Sequence, residues 1–179
     1  MKKKLEITGF LLGWFAVITQ FILIILYRQT SIIETIIRFF SFFTILTNLL
    51  VTLFFTVRIF DFSGKIVSIF NKKETVTSIT TFILIVGIVY QIVLRGIWNP
   101  EGMQLIVDEL LHSIIPLFVL FYWVLFSVKE KNLFKNAIVW LIYPLIYLLF
   151  VPLRGSFSDY YPYSFYYPCN YDYSYYYYY

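Results

Sequence analysis

Two groups of polar residues interrupt the long apolar stretches of this chain, and their types and spacing could support a nucleophilic reaction. Thr44, Thr47 and Asn48 are spaced i, i+3 and i+4, so they share one face of a helix. Asp108 and His112 are spaced i and i+4, so the carboxylate could hold the imidazole in one tautomer. Polar groups inside a bilayer are energetically expensive and are therefore candidates for function.

A hydroxyl, an imidazole and a carboxylate are the parts of a nucleophilic hydrolase. In such a site His112 removes the proton of a threonine hydroxyl, and Asp108 stabilises the resulting imidazolium. The Asn48 amide could donate a hydrogen bond to the developing oxyanion. The alternative is structural, because threonines in membrane helices often bond the carbonyl one turn back and polar side chains often join helices. The spacing leaves both interpretations open.

Two arginines are candidates for binding an anionic group. Arg95 and Arg154 are each followed by glycine, and each ends an apolar stretch. A guanidinium at this depth could hold a lipid headgroup or a substrate carboxylate, or it could extend along the bundle to the interface without binding anything. The sequence contains no glycine-rich phosphate loop, HExxH motif or metal-ligand set, so we predict neither a cofactor nor a metal.

Five apolar stretches rich in Ile, Leu and Phe are long enough to hold these residues in a membrane. The hydrocarbon core requires about 20 apolar residues in a helix, and a spanning helix satisfies its own backbone hydrogen bonds. The predicted spans are residues 9–27, 39–57, 76–94, 110–128 and 137–153. We therefore predict an all-α, polytopic transmembrane helix bundle over residues 1–154.

Prolines within two of these spans suggest where a cavity could form. Pro116 and Pro144 fall inside the fourth and fifth predicted spans, where a proline removes a helical hydrogen bond and kinks the helix. Kinked membrane helices are tolerated where they border a cavity. The side chains expected to line it are Tyr90, Gln91, Tyr143 and Tyr147.

The composition excludes several classes of protein. Of 179 residues, 60% are hydrophobic and 13% are charged, and the mean hydropathy is +0.77, unlike any soluble domain of this size. The single cysteine, Cys169, excludes an intrachain disulfide. The net charge of +4 does not indicate nucleic-acid binding, because the basic residues lie between the spans. The predicted partner is membrane lipid or a fatty acyl ester; the oligomeric state is left open.

Positive charge predicts the orientation, because lysine and arginine collect on the cytoplasmic side. Alternating spans place ten basic residues on one side and four on the other. We therefore predict a cytoplasmic N-terminus, with Thr44 and His112 near the outer end of the bundle. The segment Met1-Lys2-Lys3-Lys4 before an apolar run also resembles a signal peptide. That run is too long and lacks a small-residue cleavage site, so we expect an uncleaved span.

Residues 155–179 differ from the rest of the chain. They contain twelve tyrosines, a residue that favours the headgroup region over the bilayer core. Residues 175–179 are a low-complexity run with no pattern of a folded element. We expect an interfacial or disordered tail, and we expect the short segment 31–37 to lie in the membrane interface as well.

The order of three motifs is similar to that of a known family. The motifs are Phe43-Thr44-Ile45-Leu46-Thr47-Asn48-Leu49; Asp108-Glu109-Leu110-Leu111-His112-Ser113-Ile114-Ile115-Pro116 followed by Trp123; and Tyr143-Pro144-Leu145-Ile146-Tyr147 followed by Arg154-Gly155 and Tyr161-Pro162-Tyr163-Ser164-Phe165. Over residues 9–165 they resemble the androgen-induced protein family of integral membrane proteins, in a bacterial branch that implies the plasma membrane of a bacterium as the location.

The resemblance implies both a fold and an activity. Members have six spans, of which five are evident here. Animal members are threonine hydrolases that cleave fatty acid esters of hydroxy fatty acids. The resemblance implies His112 as the histidine and Thr44 as the nucleophile, with Thr47 as the alternative. This chain offers Thr47 or Asn48 where the animal motif carries an aspartate. The other function to consider is a non-catalytic membrane protein that binds lipid or a partner.

Overall fold

A computed structural model of the protein describes residues 1–60, 62, 64, 67–127, 138–158 and 160–162. In these residues the regular structure is helical, without strands. The helices are α1 (Lys2–Leu26), α2 (Ile32–Phe39), α3 (Phe43–Phe60), α4 (Lys73–Val89, continued by a π turn, Tyr90–Leu94), α5 (Gly102–Phe126, with a π turn at Leu110–Ile114) and α6 (Ile138–Ser158, starting with a 3-10 turn, Ile138–Leu141). A separate 3-10 turn covers Val67–Asn71.

Five of the described helices are long and apolar enough to cross a membrane, which confirms the predicted all-α bundle. They are Lys2–Leu26, Phe43–Phe60, Glu74–Leu94, Gly102–Phe126 and Ile138–Ser158. Large apolar side chains cover the outside of the bundle, and Leu149, for example, is 72% exposed. A surface of this kind needs lipid around it. The protein is therefore a multi-pass membrane protein.

Several helix ends differ from the sequence prediction. α3 begins at Phe43, four residues later than expected, because Phe39 belongs to α2. α5 begins at Gly102, so that Asp108 lies inside the spanning helix. α6 continues past Arg154 to Ser158, so the first residues of the predicted tail are helical, and Arg154 pairs with Glu34 of α2. The predicted ends at 128 and 137, the sixth span and residues 163–179 of the tail lie outside the described residues.

The segment expected in the membrane interface forms the short amphipathic helix α2. The Ser31 hydroxyl caps it by accepting from the Glu34 N–H at 3.3 Å. Glu34 stands in the first turn and Arg38 in the last, which suits the helix dipole at both ends. α2 buries Phe39 and leaves isoleucines on its other face exposed.

Two glycines bring α1 and α3 into close contact. Gly9 and Gly13 are one turn apart on α1, and each faces a side chain of α3. A Cβ at Gly13 would collide with Thr52, and one at Gly9 with Phe55. Small residues at this spacing let two membrane helices approach closely, so that van der Waals contact holds them together.

A buried carboxylate joins three spans at the end of the bundle that carries the N-terminus. Glu6 of α1 accepts a hydrogen bond from the Tyr122 hydroxyl of α5 at 2.8 Å and from Arg58 Nε of α3 at 3.3 Å. A buried charge is tolerated when it is paired in this way. Lys3 donates to the backbone carbonyls of Arg58 and Ile59, so this end of the bundle is held together by polar contacts.

We predict that replacing Gly13 with alanine destabilises the protein. The added methyl group meets the Thr52 side chain, and overpacking of this kind costs about 1–3 kcal/mol. Gly96→Ala is the control, because a Cβ at Gly96 has nothing within 4 Å. The measurement is the midpoint of thermal unfolding in detergent. Equal midpoints for the two variants would contradict the close approach of α1 and α3.

We predict that the loop holding Trp98 faces the outside of the cell and that the loop holding Gly64 faces the cytoplasm. The test uses Trp98→Cys and Gly64→Cys, each in a Cys169→Ser background, with a membrane-impermeant maleimide on intact cells. The positive-inside distribution predicts labelling at position 98 and, only after permeabilisation, at position 64. The reverse labelling pattern would show that the protein has the opposite orientation in the membrane.

Candidate functional site

Thr44 of α3 and His112 of α5 line the same two cavities. The first cavity has a volume of about 390 Å³, and the second has a volume of about 420 Å³. Of the described residues, Thr44, Tyr90, Leu94 and His112 line both. The two residues singled out in the sequence as nucleophile and base therefore both border the region that the two cavities share.

The surroundings of His112 define which ring nitrogen is free. His112 Nδ1 lies 2.9 Å from the backbone oxygen of Asp108 and 3.3 Å from its carboxylate Oδ1. A ring nitrogen facing two acceptors carries the proton, so Nδ1–H donates and Nε2 keeps its lone pair. Nε2 has no hydrogen bond to any described residue. Asp108, which the sequence predicts to orient the imidazole, thus lies beside Nδ1.

Tyr90 stacks on the imidazole of His112. Their ring centroids are 4.3 Å apart, and the ring planes differ by 16°. The Tyr90 phenol also interacts with the Asp108 side chain. Sequence spacing placed Tyr90 near a cavity, but it gave no signal that the ring would lie on the histidine. Asp108 at the edge and Tyr90 on the face restrict the orientation of the imidazole.

Both stacked residues lie in π turns. Tyr90 is in the turn Tyr90–Leu94, and His112 is in the turn Leu110–Ile114. Turns of this type are rare in proteins overall, and those that occur are often at functional sites. Pro116 explains the second turn in part, because it has no N–H to continue the regular ladder. The sequence signal for this π turn is Pro116, from which we predicted a kink in the helix.

The Thr44 hydroxyl is not committed to a hydrogen bond with any described residue. The other threonines of α3 behave differently: Thr52 and Thr56 each donate to the carbonyl one turn back at 2.7 Å, and Thr47 bonds the Tyr143 hydroxyl at 2.9 Å. Because α3 begins at Phe43, Thr44 has no carbonyl of its own helix one turn back. Thr44 is 9% exposed and faces the cavities.

Asn48 joins the two halves of the site. Its Nδ2 donates to the backbone oxygen of Thr44 at 2.9 Å and to that of Leu111 at 3.2 Å. The Leu111 carbonyl is available because the Ile115 N–H bonds Leu110 and Pro116 has no N–H. Asn48 is fully buried and lines neither cavity. Both amide hydrogens are used, so its geometry is that of a positioning residue, and the expected oxyanion contact would require these bonds to break.

Arg95 belongs to a polar network beside the π turns. Its guanidinium donates to Gln91 Oε1 at 2.5 Å and pairs with the Glu109 carboxylate. Ser113 completes the network, accepting from Gln91 at 2.8 Å and donating to Glu109 at 2.7 Å. Arg95 lines neither cavity, so the predicted substrate-binding role has no direct geometric support.

Arg154 joins α6 to α2. Its Nη2 lies 2.7 Å from Glu34 Oε1, which also accepts from Arg38 Nε at 2.8 Å. The Tyr160 ring lies 4.1 Å from the Arg38 guanidinium carbon and 4.8 Å from that of Arg154. Arg154 lines neither cavity. This arginine, too, has a carboxylate partner within the protein.

The two cavities differ in chemical character. The first lies between α4 and α6, and its lining is mostly apolar: Phe43, Phe82, Ile85, Val86, Val89, Leu141, Pro144 and Leu148. The second is bordered by α1, α3 and α5 and by the loop after α4, and its lining includes polar side chains: Gln20, Tyr27, Trp98, Gln104 and Asp108. The stacked pair Tyr90 and His112 lies between them.

The residues that the structure describes include no group of three His, Cys, Asp or Glu side chains that could hold a metal ion. No protein-family model matches the chain, and no curated protein or solved structure matches it. The fold and the site together define a multi-pass helical membrane protein in which a threonine and a histidine face two adjoining cavities.

We predict that acid weakens the contact between α2 and α6. Burial by itself would raise the pKa of Glu34, but hydrogen bonds and the positive charges of Arg38 and Arg154 outweigh it and hold the pKa below its ordinary value of 4.5. A carboxylate with a depressed pKa stabilises the fold above its unfolded-state pKa, and the contribution is lost as pH falls through the folded value.

Thermal unfolding in detergent as a function of pH checks this prediction. The protein should lose stability as pH falls below 4.5. Glu34→Gln should be less stable than the parent at neutral pH, and that difference should vanish in acid. Glu101→Gln, at an exposed position, should follow the parent throughout. A constant difference between the parent and Glu34→Gln would show that the Glu34 charge does not stabilise the contact.

Proposed function

We propose that the protein is a membrane hydrolase that cleaves a fatty acyl ester, with Thr44 as nucleophile and His112 as general base. One observation carries the proposal: an uncommitted threonine hydroxyl and an imidazole with a free Nε2 line the same two cavities. The family resemblance supports the same chemistry and implies esters of hydroxy fatty acids, in the plasma membrane of a bacterium.

The proposed reaction has two steps. Thr44 Oγ1 attacks the acyl carbon while His112 Nε2 takes the hydroxyl proton; the ester C–O bond then breaks, and the histidine returns the proton to the leaving alcohol. A water molecule next attacks the threonyl ester with His112 again as base, which releases the fatty acid and restores the hydroxyl. Asp108 stabilises the imidazolium through Nδ1–H in both steps.

The start of α3 offers donors for the oxyanion. The first N–H groups of a helix have no intrahelical acceptor, and those of Thr44 and Ile45 have no hydrogen bond to a described residue. The N–H of Phe43 donates to the Tyr147 hydroxyl at 3.2 Å, so it is already in use. Backbone donors beside the nucleophile at a helix N-terminus suit a developing negative charge. They take the role that Asn48 cannot fill while its bonds are intact.

A second function, non-catalytic binding of lipid or a partner, is favoured by the number of polar side chains that hold the bundle together. Thr47 with Tyr143, Asn48 with Leu111 and Trp14 with Thr56 all bond across helices. In that case the cavities hold a lipid without cleaving it, and Thr44 and His112 have no chemical role.

We predict that Thr44→Ala and His112→Ala each lower ester turnover by at least about 100-fold. The measurement is release of oleic acid from an oleoyl ester by the purified protein in detergent. Thr44→Ser should retain activity, and Thr47→Ala should stay within severalfold of the parent, because its hydroxyl is bonded to Tyr143. A parent without turnover, or alanine variants equal to it, would favour the binding function.

A further inference from the structure

We infer that the acyl chain of the ester occupies the first cavity and that the alcohol half, in the second cavity, is polar but uncharged, as in a monoacylglycerol. This inference rests on the proposed function, because it takes the boundary between the cavities as the point of cleavage. It differs from the substrate that the family resemblance implies, since esters of hydroxy fatty acids carry a free carboxylate.

The first cavity suits a hydrocarbon chain. It opens between α4 and α6 on the lipid-facing surface, where Ile85 is 47% and Leu148 52% exposed. Its polar side chains away from the proposed reacting groups are already bonded: Thr81 donates to the Thr77 carbonyl, and Tyr147 bonds Phe43 N and Ser41 O. An acyl chain can therefore enter sideways from the bilayer without leaving an apolar environment.

The second cavity offers neutral hydrogen-bonding groups. Gln104 Nε2 donates to Gln20 Oε1 at 3.0 Å, which leaves the Gln20 amide hydrogens and Gln104 Oε1 without a described partner. The Trp98 indole N–H also has no hydrogen bond to a described residue. Amide and indole groups of this kind can donate to and accept from the hydroxyls of a polyol.

The charge around the second cavity disfavours an anionic alcohol. None of the described residues that line it is a lysine or arginine, whereas Asp108 contributes a carboxylate. Arg95 pairs with Glu109, Arg154 with Glu34, and Arg28 donates to a backbone carbonyl outside the lining. Residues 159–179 contain no basic residue. A substrate carboxylate or phosphate here would meet a like charge at low dielectric without a compensating cation.

The test compares three oleoyl esters with purified protein in detergent: monooleoylglycerol, the oleoyl ester of hydroxystearic acid, and oleoyl lysophosphatidylglycerol. We expect kcat/KM for monooleoylglycerol to exceed that for either anionic ester by at least about tenfold, equivalent to 1.4 kcal/mol. Turnover that depends on Thr44 but is equal or faster with an anionic ester overturns this inference and leaves the proposed function intact. Absence of Thr44-dependent turnover with every ester overturns both.

A matched pair of variants tests the charge argument directly. Gln104→Arg places a cation beside the second cavity, and Gln104→Met changes the same side chain without adding charge. We expect the ratio of kcat/KM to shift toward the hydroxystearate ester by about tenfold in Gln104→Arg relative to Gln104→Met, because both variants lose the Gln104 amide and only the first adds a charge. An equal ratio in both variants, with unfolding midpoints matching the parent, would show that charge at this cavity does not set the specificity.

Discussion

The Asn48 amide is the contact on which the geometry of the candidate site depends. It bonds the backbone of Thr44 in its own helix and that of Leu111 in α5, so it fixes the threonine relative to the residue that precedes His112. The contact exists because Pro116 interrupts the ladder of α5 and leaves a carbonyl in need of a donor. In a bilayer that carbonyl has no water to bond. The Asn48 amide therefore supplies the hydrogen bond that Pro116, which has no N–H, cannot.

The two ends of the bundle use polar residues differently. At the end that carries the N-terminus, Glu6, Tyr122 and Arg58 satisfy one another and join three spans. At the other end, the Thr44 hydroxyl and the Nε2 of His112 have no partner among the described residues, and cavities adjoin them. Polar contacts therefore join helices at both ends, and the cavity end also holds polar groups that remain available to a ligand.

The arginines at the cavity end show how pairing determines what a site can bind. Arg95 and Arg154 each satisfy a glutamate between helices. Their charge is used to hold α4 to α5 and α6 to α2, and it is not directed into a cavity. Among the described residues that line the two cavities, Asp108 is the only one with a carboxyl group, and it lies beside His112. A guanidinium near a lipid site is thus not by itself evidence for an anionic ligand.

The sequence by itself determined the membrane environment, the five spans, the polar clusters on α3 and α5, and the i, i+4 pairing of Asp108 with His112. These features are local, because hydrophobic length and helical spacing are properties of a few consecutive residues. Only the tertiary structure decided that the Thr47 hydroxyl bonds Tyr143 whereas that of Thr44 bonds no described residue, that Tyr90 stacks on His112, and that Asn48 crosses to α5. Those outcomes depend on side chains that are distant in the chain, and no local periodicity specifies which of them meet when helices pack.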